Sequence, residues 1–266
     1  MTTLEVRGLV KDYRLRQGLR GSVLHAVDDV SFALEPGRTV ALVGQSGSGK
    51  STIAKLLMQL EKPTSGQILL DGAPIKRHGR GLARYRRTVQ MVFQDPFASL
   101  NPYHTIAHHL ERPIRLHHRS LTDAEVHRRV LQLLERVRLT PAENVAARRP
   151  HELSGGQRQR VAIARALAPE PGILVADEPV SMLDVSIRLG VLNLLAALQR
   201  EEDLGVLYIT HDLATARHFA DDILVMYSGR VVERGPADEV ILNPRHEYTK
   251  KLAAAAPNPE RRISEL

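Results

Sequence analysis

Thr39-Val40-Ala41-Leu42-Val43-Gly44-Gln45-Ser46-Gly47-Ser48-Gly49-Lys50-Ser51-Thr52 joins a continuous apolar run to a glycine-punctuated loop that ends in Lys-Ser. An uninterrupted apolar run closed by glycine is the pattern of a parallel strand buried on both faces. Beyond the loop, Ile53, Leu56, Leu57 and Leu60 recur at helical spacing. The stretch therefore predicts a strand, loop, helix unit. Gly44 to Ser51 has the spacing of a phosphate-binding loop, in which glycines let backbone N–H groups turn inward around phosphate oxygens. The following helix adds the positive end of its dipole. Lys50 would reach the β and γ phosphates, and Ser51 would place its hydroxyl on Mg²⁺. Taken alone, the loop names no family.

On the N-terminal side, Leu4 to Val10 alternates apolar with other residues and predicts a half-exposed antiparallel strand, followed by Tyr13. Arg14 to Ser22 is basic and contains glycine, and predicts a loop before a second alternating stretch, Ala26 to Leu34. The turn at Glu35-Pro36-Gly37 is expected to close a hairpin. On the C-terminal side, strands are predicted at 67–72, 89–93, 173–176, 206–209 and 223–226. From about Asn101 to Arg149 the strand signals disappear. There Thr122-Asp123-Ala124-Glu125 has capping-box form, and Val126, Val130, Leu133, Leu134 and Val137 mark one face of an amphipathic helix. Strands alternating with helices imply an α/β fold with a largely parallel sheet. The N-terminal strands form an antiparallel β-subdomain, and a helical subdomain is expected at approximately 97–160. After Pro244 the pattern is helical to Ala256, and the polar segment 257–266 is expected to be a frayed tail.

Two further motifs carry chemistry. Ile173-Leu174-Val175-Ala176-Asp177-Glu178 is an apolar strand ending in two acids, which a parallel sheet delivers to its carboxyl edge. Asp177 can hold the Mg²⁺ shell there, and Glu178 can polarise an attacking water as general base. Acids after strands are also common as solvated turns; the phosphate loop decides between these readings. Leu153-Ser154-Gly155-Gly156-Gln157 precedes a helical run, with Ser154 a natural N-cap and the glycines exposing N–H groups to an anion.

Composition sets bounds. At 266 residues and 43% hydrophobic content the chain can bury a sizeable core. The absence of cysteine excludes disulfides, thiolate metal sites, iron–sulfur clusters and cysteine nucleophiles. The net charge of +7 admits nucleic acid, an anionic membrane face or a solvated basic surface. Dispersed arginines favour the solvated surface, and 4% aromatic residues without tryptophan supply a nucleic-acid stacking platform poorly. No basic segment followed by an apolar run opens the chain, and no run of roughly 18 apolar residues occurs. Any membrane role is expected to come through a partner.

The phosphate loop, the run Leu153 to Arg160 and the acids Asp177-Glu178 together resemble the nucleotide-binding subunits of ATP-binding-cassette transporters, across nearly the whole chain. The resemblance implies a P-loop ATPase core using ATP and Mg²⁺. It implies that Tyr13 stacks on adenine, that Gly44 to Thr52 hold the phosphates, and that Gln94 touches Mg²⁺ and the attacking water. It further implies that Asp184, in the loop Ser181-Met182-Leu183-Asp184, lies at a dimer interface, and that His211 contacts the γ-phosphate. Two such domains face head to tail, so Ser154, Gly155, Gly156 and Gln157 of one chain serve the ATP of the other. Phe93 to Pro102, Asp177 to Ile187 and Pro244 to Thr249 resemble the branch that drives oligopeptide, dipeptide and nickel uptake. That branch implies permease subunits, a second and usually different ATPase chain, an indirectly coupled solute-binding protein, and a place on the cytoplasmic face of the membrane. An exporter motor and a non-transport cassette acting on DNA or the ribosome are the alternatives. Met182 replaces a more usual alanine, and Arg149 stands where an aromatic often precedes Pro150-His151-Glu152.

Overall fold

The apolar run 39–43 forms strand β3 (Thr39–Val43), buried at every position. In the computed structural model, which describes residues 2–17 and 20–255, β3 lies inside a six-stranded sheet of order β10-β9-β3-β8-β7-β6. The other members are β6 (Val89–Val92), β7 (Ile173–Asp177), β8 (Gly205–Thr210), β9 (Asp222–Tyr227) and β10 (Arg230–Pro236). Five of the strands run parallel, and β10 closes the edge antiparallel to β9. In register, Val43 lies opposite Thr210 and Val225, and Asp177 opposite Ile209. The parallel strands thus end along one edge.

Alternation along each strand divides the core in two. Ala41, Val43, Leu174, Ala176, Val206 and Tyr208 face one side, and Val40, Leu42, Ile173, Val175, Leu207 and Ile209 face the other. The second side packs on helix α1 (Lys50–Leu57) through Ile53, Leu56 and Leu57, and on a second sheet of order β2-β1-β4-β5. That sheet is antiparallel, built from β1 (Leu4–Gln17), β2 (Arg20–Leu34), β4 (Ser65–Leu70) and β5 (Ala73–Pro74). The chain then passes through α2 (Gly79–Thr88) to β6.

The first side carries the remaining helices. Between β6 and β7 lie α3 (Pro96–Ser99), α4 (Ile106–His117), α5 (Asp123–Arg136), α6 (Ala142–Ala147) and α7 (Gly155–Leu167). Their apolar faces are continuous with the sheet: Leu110, Val130, Leu134 and Ile163 are fully buried in the same cluster as Val43 and Ala176. Then come α8 (Val185–Glu201), α9 (Leu213–Phe219), α10 (Ala237–Leu242) and α11 (Glu247–Ala255). Among the described residues no helix is long and apolar enough to cross a membrane.

Four expectations are corrected. The loop expected at 14–22 is strand on both sides of residues 18–19, because β1 runs to Gln17 and β2 begins at Arg20. Glu35-Pro36-Gly37 closes no hairpin: it hands the chain from one sheet to the other, with Arg38 N donating to Glu35 O at 3.3 Å. The strand expected at 67–72 ends at Leu70, since Asp71 and Gly72 both take positive φ (53° and 74°) in a turn. Leu60 is no part of the helical face. The helix ends at Leu57, Gln59 turns left-handed (φ 56°), and Leu60 is 65% exposed. The expected tail 257–266 lies outside the described residues.

Candidate active site

The sheet's carboxyl edge gathers the predicted residues from four strands. The loop 44–49 follows β3, Gln94 follows β6, Glu178 follows β7 and His211 follows β8. A cleft of about 890 Å³ opens there, lined by Tyr13, Gln45, Ser46, Gly47, Gly49, Lys50, Ser51, Thr52, Gln94, Glu178 and His211. Gly44 and Ser48 lie buried behind the loop's exposed rim. Asp177 ends β7 beside Lys50 and Glu178 without lining the cleft.

The loop's shape depends on its glycines. Gly49 takes φ 109°, and a Cβ there would stand 2.2 Å from Ala26 O. Gly47 takes φ 80° with open space around it, so its backbone faces the cleft unobstructed. Helix α1 begins at Lys50 with no side-chain cap and no acid in its first turn, leaving its N-terminal N–H groups for an anion. Ser48 Oγ is buried with no partner. Lys50 is 5% exposed, and its ammonium donates to Gly44 O at 2.6 Å and Gln45 O at 3.0 Å. Burial lowers the Lys50 pKa, opposed by the charges of Glu178 and Asp177. Burial raises the Asp177 carboxyl to about 6, aided by Glu178 and opposed by Lys50. An anion-binding cradle with a buried cation, a hydroxyl at Ser51 and a carboxyl at Asp177 fits a nucleoside triphosphate with Mg²⁺. Among the described residues no group of three or more His, Asp or Glu could hold a metal ion.

Glu178 stands at the centre of a small polar array. Its Oε1 lies 3.0 Å from His211 Nδ1, and its Oε2 accepts from Gln94 Nε2 at 3.2 Å. Its backbone is left-handed (φ 45°), and its N–H donates to Ile209 O at 2.9 Å. Tyr13 reaches the rim from the antiparallel sheet, donating to Glu61 Oε2 at 2.5 Å with the Lys11 ammonium 4.9 Å from its ring centre. Burial and the bond to Glu61 raise the Tyr13 pKa.

Ser154, Gly155, Gly156, Gln157 and Asp184 do not line this cleft. Ser154 caps α7 through a capping box with Gln157, and it is exposed. Gly156 is held by packing: a Cβ there would meet Ile187 Cγ2 at 2.6 Å. Asp184 sits exposed at the start of α8, next to the exposed Met182. Sequence reasoning missed Leu24, His25, Ala26, Ser228 and Gly229, which also line the cleft. Gly229 follows a strand as a turn glycine, a weak signal. His25, paired with Asp12 at 2.8 Å, carries none.

A second groove, about 920 Å³, runs beside the Gln94 segment and is lined by Leu82, Arg86, Phe93, Arg112 and Leu116 among others. Phe93 (44%) and Leu116 (61%) are unusually exposed for their type.

A parallel sheet with a phosphate loop after an interior strand and carboxyls at the same edge defines a P-loop nucleotide-binding domain. The chain belongs to the ABC transporter family, whose family model matches residues 27–181. Among curated relatives it is 48% identical over 258 residues to the Glutathione import ATP-binding protein GsiA of Escherichia coli and to that of Salmonella typhi. The match covers 96% of this chain and 41% of the relative's length. Among solved structures it is similar to the ATP-binding cassette MJ0796, in a dimeric post-hydrolysis state bound to ADP and Pi. That similarity has a TM-score of 0.76 and 32% identity over 88% of this chain and 98% of that one. It is also similar to cbiO1 from Clostridium perfringens, part of the ABC transporter complex cbiONQ, with a TM-score of 0.78 and 30% identity over 99% and 98%.

Proposed function

We propose that the chain binds ATP with Mg²⁺, hydrolyses it, and so powers a membrane importer of di- or oligopeptides from the cytoplasmic face. The observation that carries this reading is the convergence of Gln94 and His211 on the Glu178 carboxylate, at 3.2 and 3.0 Å, beside the phosphate loop. A carboxylate held at both oxygens is oriented to take the proton of an attacking water. Gln94 orients that water, and His211 holds the γ-phosphate. The loop N–H groups and Lys50 stabilise the phosphate charge that develops as the terminal bond breaks. Ser51, Gln94 and Asp177 would hold Mg²⁺, which when bound neutralises charge on the phosphate oxygens. Tyr13 offers its ring to adenine.

The exposed Ser154 with Gly155, Gly156 and Gln157 would close over the ATP of a second ATPase subunit, with Asp184 at the same interface. The apolar, arginine-bordered groove next to Gln94 suits a permease segment, so closure on ATP can be passed to the membrane subunits. Peptide as cargo is supported by the 48% identity to an ATP-binding protein named for import of glutathione, itself a tripeptide. The test is co-expression with cognate permease subunits. The purified complex should hydrolyse ATP faster when a peptide-loaded binding protein is added, and a rate indifferent to that protein counts against the reading.

A further inference from the structure

The phosphate loop has a contact that no motif announces. Gln45 N donates to Tyr248 Oη at 2.9 Å, across 203 positions of sequence. Tyr248 belongs to α11, beyond the residues matched by the family model. The residue is 9% exposed and its ring lies 4.3 Å, centre to centre, from that of Tyr227 at the end of β9. The turn that delivers it is itself pinned: Glu233 on β10 accepts from Arg245 N at 2.7 Å and His246 N at 3.0 Å, and His246 Nδ1 accepts from Tyr248 N at 3.1 Å.

The peptide unit joining Gly44 to Gln45 is the one that matters. Its carbonyl, Gly44 O, accepts from the Lys50 ammonium, and its N–H donates to Tyr248. One rigid plane therefore connects the phosphate-seeking lysine to the C-terminal helix. Gly44 leaves no room for a side chain, since a Cβ would fall 2.2 Å from Met226 O, and Ser48 O accepts from Gly229 N at 3.0 Å. The loop rests on the end of β9, and α11 fixes its first exposed peptide.

We propose that Tyr248 is a positioning residue for nucleotide binding, orienting the Gly44–Gln45 peptide so that Lys50 and the loop meet the triphosphate, and that α11 is thereby coupled to nucleotide occupancy. This rests on the reading of residues 44–52 as a nucleotide cradle. Loss of one hydrogen bond of this kind corresponds to about a three- to tenfold change in affinity. In the 266-residue chain, Tyr248→Phe keeps the ring stack and deletes only the hydroxyl. It should weaken binding of a fluorescent ATP analogue by that factor, and in the assembled transporter raise KM for ATP with kcat unchanged. An unchanged Kd in Tyr248→Phe overturns the proposal, including the case in which the melting temperature falls, because a tyrosine that only packs would behave that way. Lys50→Ala, measured in parallel, separates the two levels: wild-type affinity in that variant overturns the cradle reading itself.

Discussion

Glu178 combines a left-handed backbone, unusual for a residue with a Cβ, with a side chain held by both Gln94 and His211. The bond from its N–H to Ile209 O on the neighbouring strand keeps the backbone in that conformation and aims the carboxylate into the cleft. Glu178→Gln retains the shape and removes the proposed base. ATP affinity should stay within about twofold while turnover falls by about 100-fold or more, since a positioned base contributes at least that much; near-normal turnover shows that another group takes the proton. Asp177 makes a pH prediction. Its carboxyl sits near 6 in the fold against 3.8 for the free group, so the native state binds that proton more tightly. The stability it contributes is complete below about 4 and is lost as the pH rises to about 6. Thermal melts of Asp177→Asn and wild type should therefore differ progressively in the variant's favour from pH 4 to pH 7, and a difference independent of pH contradicts the assignment. Lys50, Asp177 and Glu178 were legible in sequence because each belongs to a motif set at the end of an apolar strand. Tyr248 and His25 were not, because their partners lie in other elements and no spacing encodes the contact.

At the scale of elements, the readable parts were those whose own residues dictate them. Val126, Val130, Leu133 and Leu134 all fall on the buried face of α5, and the capping box forms as its pattern predicts, with Thr122 N donating to Glu125 Oε2 at 2.7 Å. Thr122→Ala should remove about 1 kcal/mol and lower the melting temperature by about 2–4 °C. An unchanged melting temperature would show that tertiary packing alone holds α5. The unreadable parts were those decided by neighbours. The polar stretches 14–17 and 20–22 are strand because β1 and β2 pair with each other, Arg14 opposite Val23 and Asp12 opposite His25, a gain invisible in a loop-like composition. Leu60 fits the helical period, yet the helix has already ended: Gln59 turns left-handed and bonds Leu56 O through its side-chain amide at 2.9 Å. The loop residue Gly49 gives a sharper case. With φ 109° and a Cβ position 2.2 Å from Ala26 O, Gly49→Ala should displace the start of α1 and weaken nucleotide binding by more than tenfold, read by titration.

In the whole molecule, the two halves of the chemistry lie apart. The cradle, Glu178 and His211 share one cleft, while the exposed Ser154 at the start of α7 lines none of it. On the function proposed above, a chain so built would hold one ATP with its phosphate loop and offer Ser154-Gly155-Gly156 to the ATP of a partner, as half of a motor. The measurement that tests this most directly uses Ser154→Arg, a bulky charge on an exposed position remote from the chain's own cleft. The isolated variant should bind ATP with wild-type affinity, and the assembled transporter carrying it should lose most of its turnover. Wild-type turnover in the assembly, or a loss of ATP affinity in the isolated chain, would contradict the account.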